Sequence, residues 1–482
     1  MLKAFNRSIY NDQVALFLLG LGVVVSMQMS WVPGFFHDGY LYASFGKNAA
    51  ELGKWLVPYL GPGAYSRFEQ HLPTLFIFEG LFFKLFGSSY SSARIFNSLF
   101  FIFTLCGVYS WVRRVSTDKR DAYYSLFFFI ILPPLLKKVR FPNLDIPLMF
   151  TIFWSFYYYT LALKQNKQSY WLLTGLFFGL SMLIKGPLGL LVPLSIFANL
   201  VLRKKLDLLL RFNAWVGLLF GFLIFSIWPL SLYFTNNFDI FLDWFKFTFL
   251  ITIKDGRGAP EPFYTYFLFL IKQAHLWLIL TIVGLFKFRK NEDLVDAFSF
   301  FIAILLFLSI PKFKYSHYII SLYPFLAICS AWGLKALGGT FYRNFYRCFV
   351  GLAFSASLVL LVFPITNTSR RDTGVHFLKK VLEHTNSPIK AWVNVNGIYS
   401  GVALSALSSF EGGAPVLMLA LDEILEEPLG FIENKLFFIA NSDVKKLKLN
   451  YGQLKIVAII KKYSITVLAP ESMFEISRPL NL

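Results

Sequence analysis

Apolar residues along this chain come in long blocks broken by short charged stretches, and strict alternation with polar residues is rare before residue 365. The blocks near 13–31, 91–112, 144–163, 211–235, 263–286 and 344–364 are long enough, as helices, to cross a hydrocarbon layer of roughly 30 Å. Shorter apolar blocks at 121–138, 170–185, 187–202, 295–310 and 315–334 fit between them, so the pattern predicts eleven crossings. The run 72–86 is short for a span at about 1.5 Å per residue. It is expected to lie along the membrane surface instead.

The first long interruption, WVPGFFHDGYLYASFGKNAAELGKWLVPYLGPGAYSRFEQH at 31–71, opens a juxtamembrane loop that extends to 90. After about 365 the pattern changes. Strand-like runs IKAWVNV, PVLMLA, NKLFFIA and LKIVAIIKKYSITVLA alternate with polar, helix-compatible stretches. That order predicts a small α/β domain with a partly parallel sheet. The expected division is a transmembrane domain over 1–364 and an external α/β domain over 365–482.

Composition agrees: 56% hydrophobic and 19% aromatic residues lie outside the usual range of soluble chains. The net charge of +19 would suit a nucleic-acid binder, but the basic residues collect in inter-helix loops such as RRVSTDKR (113–120), RKK (203–205) and KFRK (287–290). That is the positive-inside pattern, not a basic face for DNA, and no nucleic-acid partner is expected. It puts those loops, with Lys3 and Arg7, in the cytoplasm, and 31–71, 137–147, 236–262, 311–317 and the tail outside. The block 13–31 has no obvious cleavage site and is expected to stay as an anchor. Cys106, Cys329 and Cys348 lie in apolar runs and read as small buried hydrophobes.

This sidedness gathers ionisable residues at the outer membrane edge, where an unpaired charge is costly and a functional role is the default expectation. They are Asp38, Asp145, Lys185 in the turn IKGPLG, Lys272 and His275, and Lys312, Lys314 and His317 in the turn PKFKYSH. His37, Arg67, Glu69 and His71 could face the same cavity. The turn KKVRFPNLDIP, which contains Arg140, is basic yet external, and external cations near a membrane point to an anionic ligand. Carboxylates facing several cations suit a phosphate leaving group: cations hold its oxygens and a carboxylate takes a proton from an attacking hydroxyl. Simpler roles stay open for each residue. Asp38 and Asp145 could cap helix starts, Lys185 could snorkel, Glu69 and His71 could form a plain pair, and 312–317 could be an ordinary basic loop. Trp31, Trp55, Tyr59, Trp228 and Tyr233 read as headgroup-level markers.

The stretch HDGYLYASFGKNAAELGKWLVPYLGPGAYSRFEQHLPTLFIFEGLFFKLFGSSYSSARIFN resembles the amino-terminal signature of bacterial integral-membrane glycosyltransferases related to the dolichyl-phosphate-mannose–protein mannosyltransferases. Within that group it is similar to the aminoarabinose transferases acting on lipid A. RFPNLDIP, LIKGPLG, SIWPLSLYF and KFKYSHYIISLYPFLAI continue the resemblance to about residue 330. It implies a polytopic α-helical membrane protein of GT-C-type glycosyltransferase fold, with a small external α/β domain at the C-terminus. It also implies transfer of a sugar from a polyprenyl-phosphate-linked donor of the undecaprenyl type to lipid A or another envelope glycolipid. The reaction would occur at the periplasmic face of the bacterial inner membrane, by a monomer, with no metal or other cofactor required.

By the same resemblance Asp38 matches the first-loop catalytic carboxylate, Asp145 the second acid, and Glu69 the acid of a Glu-Lys-Pro-like segment. Lys185, Lys312, Lys314 and His317 fall in segments that line the cavity or approach the lipid phosphate, with His37, Tyr42, Tyr315 and His275 as cavity or acceptor residues. The chain departs from the pattern at Gly39, Leu41 and Gln70. Phosphate contacts are therefore also expected at Arg67, His71 or Arg140, and a hexose or uronic acid donor stays open beside aminoarabinose. The competing readings are a protein O-glycosyltransferase, a diphosphate-linked oligosaccharide ligase, a lipid-linked sugar transporter and a non-catalytic scaffold. Transport would be supported by inverted repeats or paired broken helices, and neither is evident in the sequence.

Overall fold

The computed structural model describes residues 12–35, 37–61, 66–251, 260–363, 382–398, 400–411, 414–460, 464–474 and 479–481. In chain order the helices before the tail are α1 (Gln13–Met27), α2 (His37–Leu52), α3 (Thr74–Phe86), α4 (Tyr90–Val115), α5 (Lys119–Ile130), α6 (Pro133–Lys138), α7 (Asp145–Gln165) and α8 (Gln168–Lys185). They continue with α9 (Leu191–Leu202), α10 (Phe212–Phe234), α11 (Phe238–Phe245), α12 (Thr265–Phe288), α13 (Glu292–Ser309), α14 (Tyr323–Ala336) and α15 (Gly339–Val362). Among the described residues six helical stretches are long and apolar enough to cross a membrane: Tyr90–Val115, Asp145–Gln165, Gln168–Leu202, Phe212–Phe234, Thr265–Phe288 and Tyr318–Ala336. The protein is a multi-pass membrane protein. Several of the other expected crossings fall on α1, α5, α13 and α15, which are shorter or more polar.

Packing divides the chain into two compact units that interleave in sequence. The first holds Met1–Ser30, Glu69–Leu75 and Arg94–Thr366; the second holds Trp31–Phe68, Phe76–Ala93 and Asn367–Leu482. Hydropathy had drawn one boundary near 364, whereas packing groups most of the juxtamembrane loop with the tail.

In the first unit, helices approach closely where side chains are absent. On α8 Gly175 and Gly179, and on α10 Gly217 and Gly221, form two G-x-x-x-G pairs that face each other. A Cβ on Gly175 would lie 1.9 Å from the Gly217 carbonyl oxygen, and one on Gly179 would lie 2.5 Å from that of Gly221. Lipid gives helices no hydrophobic drive to associate, so such contact depends on backbones meeting. The pair α12 and α14 repeats the device, since a Cβ on Gly333 would lie 1.8 Å from the Leu280 carbonyl oxygen. Lys287 Nζ donates to the Ala336 carbonyl at 2.8 Å at the end of that same interface.

One end of the bundle is pinned by buried acids. Asp121 accepts from Lys335 Nζ and from Tyr342 Oη at 2.6 Å. Asp12 accepts from Tyr109 Oη at 2.9 Å and from Tyr123 Oη, and Asp296 pairs with Arg203 at 3.2 Å. Cys329 is buried and Cys106 half-buried, but Cys348 is exposed on α15 and so corrects the expectation that all three are buried. An apolar block fixes that a residue sits in a membrane helix; it does not fix which face the residue occupies.

In the second unit α2 packs on α16 (Gly401–Glu411) through polar groups of α2, in the stretch expected to be a juxtamembrane loop with a helix start at Asp38 left open. Ser44 Oγ donates to the Ala406 carbonyl at 2.6 Å, Lys47 Nζ to that of Phe410 at 2.7 Å, and Asn48 Nδ2 to Ser409 Oγ at 2.7 Å. The rings of Phe35, Tyr90 and Phe410 close beside them, with centroids 4.8 to 5.3 Å apart. On α3, Phe78, Leu81 and Leu85 form an exposed apolar stripe, as expected of a helix lying in a membrane interface. Glu79 on its other face is buried against Gly46, and burial holds its carboxyl well above the usual range.

The tail forms a mixed six-stranded sheet of order β2-β1-β3-β5-β4-β6. Strand β1 (Ala391–Val395) is parallel to β2 (Val416–Leu419) and β3 (Lys435–Ala440). Strand β5 (Ile465–Pro470) is antiparallel to β3 and β4 (Leu454–Ile460), and β6 (Leu480–Asn481) is parallel to β4. Val393, Phe437, Ile439 and Leu468 make its core with Ile424 and Leu447 from the helices. The expected partly parallel α/β region is present.

Gly217→Leu would drive a side chain into the Trp171 backbone, 2.5 Å from the Cβ position, where no rotamer change can relieve the clash. The expected cost is at least about 1–3 kcal/mol, read as a lowered unfolding midpoint in detergent. Gly351→Leu, where a Cβ meets nothing within 4 Å, should leave that midpoint nearly unchanged.

Candidate functional site

The site in the first unit begins with a helix start. Asn143 Oδ1 accepts from the backbone N–H groups of Asp145 at 3.0 Å and Ile146 at 2.9 Å. Asn143 Nδ2 donates to the carbonyls of Lys138 at 2.9 Å and Phe141 at 2.6 Å, which closes the turn RFPN. Asn143 therefore does the capping that the sequence left open for Asp145. The Asp145 carboxylate instead forms a salt bridge with Lys185 Nζ, and the two side chains are 7% and 14% exposed.

Lys185 ends α8 and is aimed by the turn that follows. Gly186 has φ +54°, and a Cβ there would lie 2.7 Å from the Trp244 ring, so both conformation and space require glycine. The chain then folds back on itself: a Cβ on Gly189 would lie 2.5 Å from the Met182 nitrogen. The expected turn between two short helices is thus observed. The Lys185 ammonium lies 4.5 Å from the centroid of the Tyr318 ring. An aromatic face and a carboxylate hold this cation together.

A second strap fixes the segment before Tyr318. Tyr266 Oη donates to the Tyr315 carbonyl at 3.0 Å and accepts from the Tyr315 N–H at 3.1 Å. The His317 ring lies 4.9 Å from that of Tyr318 and 5.7 Å from that of Tyr315. Lys314 Nζ donates to the carbonyls of Glu261 at 3.0 Å and Pro311 at 2.6 Å, while Lys312 is exposed. Of the loop 236–262, expected on the outer side, residues 252–259 lie outside the described residues.

The structure thus brings together Asp145, Lys185, Tyr315, His317 and Tyr318. Glu69 and His71, both half-buried, belong to the same unit, in a segment whose Leu72 lies 3.7 Å from the Cβ position of Gly186. Arg140 is fully buried, with Nη2 donating to the Gln28 carbonyl at 2.7 Å. His275 and Lys272 are exposed on α12.

Asp38, Arg67 and Tyr42 belong to the second unit. Asp38 is half-buried in the first turn of α2, Arg67 is exposed, and Tyr42 stacks on Phe76 at 5.7 Å. The side chain of His37 lies outside the described residues. Among the described residues no group of three His, Cys, Asp or Glu side chains is placed to share a metal ion.

Sequence reasoning passed over Asn143 and Tyr318. Asn143 carried a signal, a turn residue just before a helix and just after a proline. Tyr318 carried none, because one more tyrosine in an aromatic-rich chain is indistinguishable from a headgroup marker.

Removing one member of a buried ion pair leaves the other charge uncompensated, at a cost of about 3–5 kcal/mol. Lys185→Met should lower stability on that scale, and the double variant Asp145→Asn with Lys185→Met should recover most of the loss. Thermal unfolding in detergent reads both. Simple additivity of the two single losses would contradict the pairing.

Residues 70–229 match the family model of the dolichyl-phosphate-mannose-protein mannosyltransferases. Two uncharacterized proteins of Aquifex aeolicus (strain VF5) are each 27% identical to this chain. One alignment covers 62% of this chain and 59% of its relative; the other covers 71% and 78%. Among solved structures, ArnT from Cupriavidus metallidurans bound to undecaprenyl phosphate superimposes with a TM-score of 0.70 at 15% identity, covering 94% of this chain and 96% of that one. The apo form of that ArnT gives a TM-score of 0.68 at 14% identity, over 98% and 99%. The fold is therefore that of the ArnT structures, and the match to the mannosyltransferase family model falls within it, over residues 70–229.

Proposed function

We propose that this protein transfers a sugar from a polyprenyl-phosphate donor to an acceptor of the bacterial envelope, lipid A foremost, at the periplasmic face of the inner membrane. The observation that carries the proposal is the buried Asp145–Lys185 pair with Tyr318 at a membrane-helix end, in a fold shared with an ArnT solved with undecaprenyl phosphate. A polyprenyl phosphate is a long hydrocarbon chain ending in a small anion. A lysine at the edge of the hydrocarbon layer, fixed in place by an adjacent carboxylate, is chemically matched to that anion.

The reaction is a single displacement. An acceptor oxygen forms a bond to the anomeric carbon while the bond from that carbon to the lipid-phosphate oxygen breaks, and the electron pair leaves with the phosphate. Asp38 takes the acceptor hydroxyl's proton, whereas Lys185 and neighbouring cations stabilise the charge gathering on the phosphate. One displacement inverts the anomeric centre, unlike a two-step retaining scheme. Where the acceptor is already an ionised phosphate, Asp38 positions it instead of deprotonating it. No cofactor enters the scheme. The family model over 70–229 is described by transfer to protein, so a protein hydroxyl is the second acceptor to test.

The test is mass spectrometry of lipid A and envelope glycoproteins from cells with and without the gene, alongside transfer by purified variants. The expected result is one missing sugar mass on lipid A. Asp38→Asn should lower transfer by about 10²–10⁴-fold with an unchanged unfolding midpoint. Wild-type turnover by Asp38→Asn would remove that residue from the mechanism, and a sugar missing only from proteins would move the acceptor to protein.

A further inference from the structure

Along α8, from about 10 Å to about 21 Å from Lys185 by helix rise, runs a cavity whose lining shares no residue with the site above. It has a volume of about 120 Å³ and lies between α8, α9, the turn 206–210 and the start of α10. Trp171 on α8 and Leu200 on α9 both line it. A straight continuation of α8 through α9 would separate them by about 40 Å, so the two helices run back alongside each other with this gap between them. Its lining is almost wholly apolar, and Phe197 and Trp215 at its border are half-exposed, which leaves the gap open to the hydrocarbon side.

One feature separates this cavity from a packing fault: the ends of the lining elements carry cations, Lys167 just before α8, Lys204 and Lys205 between α9 and the turn, and Arg211 just before α10. Lys205 pairs with Glu292 at 3.6 Å, and Arg203 is paired with Glu292 and Asp296. Among the described residues Lys167, Lys204 and Arg211 have no ion pair and are exposed, against one exposed acid in the turn, Asp207. Hydrocarbon-lined space beneath unpaired cations matches an anionic phospholipid, with chain below and phosphate above.

We propose that this cavity binds one acyl chain of an anionic diacyl phospholipid, with Lys167, Lys204 and Arg211 meeting its phosphate in the leaflet opposite the Asp145–Lys185 site. The bound chain fills the wedge between α8 and α9 and steadies the turn that aims Lys185 at the far end of the same helix.

The test is native mass spectrometry of delipidated full-length protein with phosphatidylglycerol or phosphatidylcholine of identical chains. Wild type should retain one phosphatidylglycerol with at least several-fold preference. Ala214→Phe, which fills the cavity, should lower retention of that lipid about tenfold. Lys204→Gln with Arg211→Gln should abolish the preference while phosphatidylcholine binding stays as it was. Unfolding midpoints confirm that the variants are folded. Equal retention of the two lipids by wild type would overturn the proposal, as would a preference that survives in the double glutamine variant.

Discussion

A charge at the edge of a hydrocarbon layer must find a partner, and Lys185 finds two. Asp145 supplies the opposite charge and Tyr318 a negative ring face, so the ammonium of a side chain only 14% exposed is held in one place. Much of the local structure follows from that requirement. Asn143 takes over the helix cap so that the Asp145 carboxylate is free to turn toward the lysine. Gly186 adopts a left-handed conformation under Trp244 so that α8 can stop where Lys185 must point. The double hydrogen bond between Tyr266 and Tyr315 fixes the segment that delivers Tyr318.

The rest of the bundle keeps those pieces in register by two means. In the apolar middle, helices meet through glycines: α8 against α10, and α12 against α14. At the end away from the site, buried acids at Asp12, Asp121 and Asp296 tie helices together through tyrosine, lysine and arginine. A rigid far end and close-packed middle leave the near end to carry irregular backbone, which membrane proteins tolerate where protein surrounds it. The second unit follows ordinary globular rules, with a mixed sheet, a covering layer of helices and polar contacts between α2 and α16.

Much of this was legible in the sequence. Block hydropathy identified the membrane helices, the period change after 365 identified the sheet, and LIKGPLG identified the turn that carries Lys185. RFPNLDIP identified the segment carrying Asp145 but not which of its residues would cap the helix, because Asn and Asp are comparable caps. Partnership was the part the sequence could not give. Nothing in KFKYSHY says that Tyr318, rather than Lys312 or Lys314, meets Lys185, because contacts between residues some 130 positions apart depend on how helices pack. The G-x-x-x-G pairs were visible as spacing, but spacing alone does not say which helix lies opposite. The polar face of α2 looked like a loop because its partner, α16, lies more than 350 residues away.

The account turns on Lys185 serving as the fixed cation for a lipid phosphate. The most direct measurement is the affinity of undecaprenyl phosphate for wild-type protein and for the Asp145→Asn, Lys185→Met double variant, in which no buried charge is left unpaired. The account predicts at least tenfold weaker binding by the double variant, with binding of a neutral polyprenol unchanged. Equal affinity for the phosphate would contradict it.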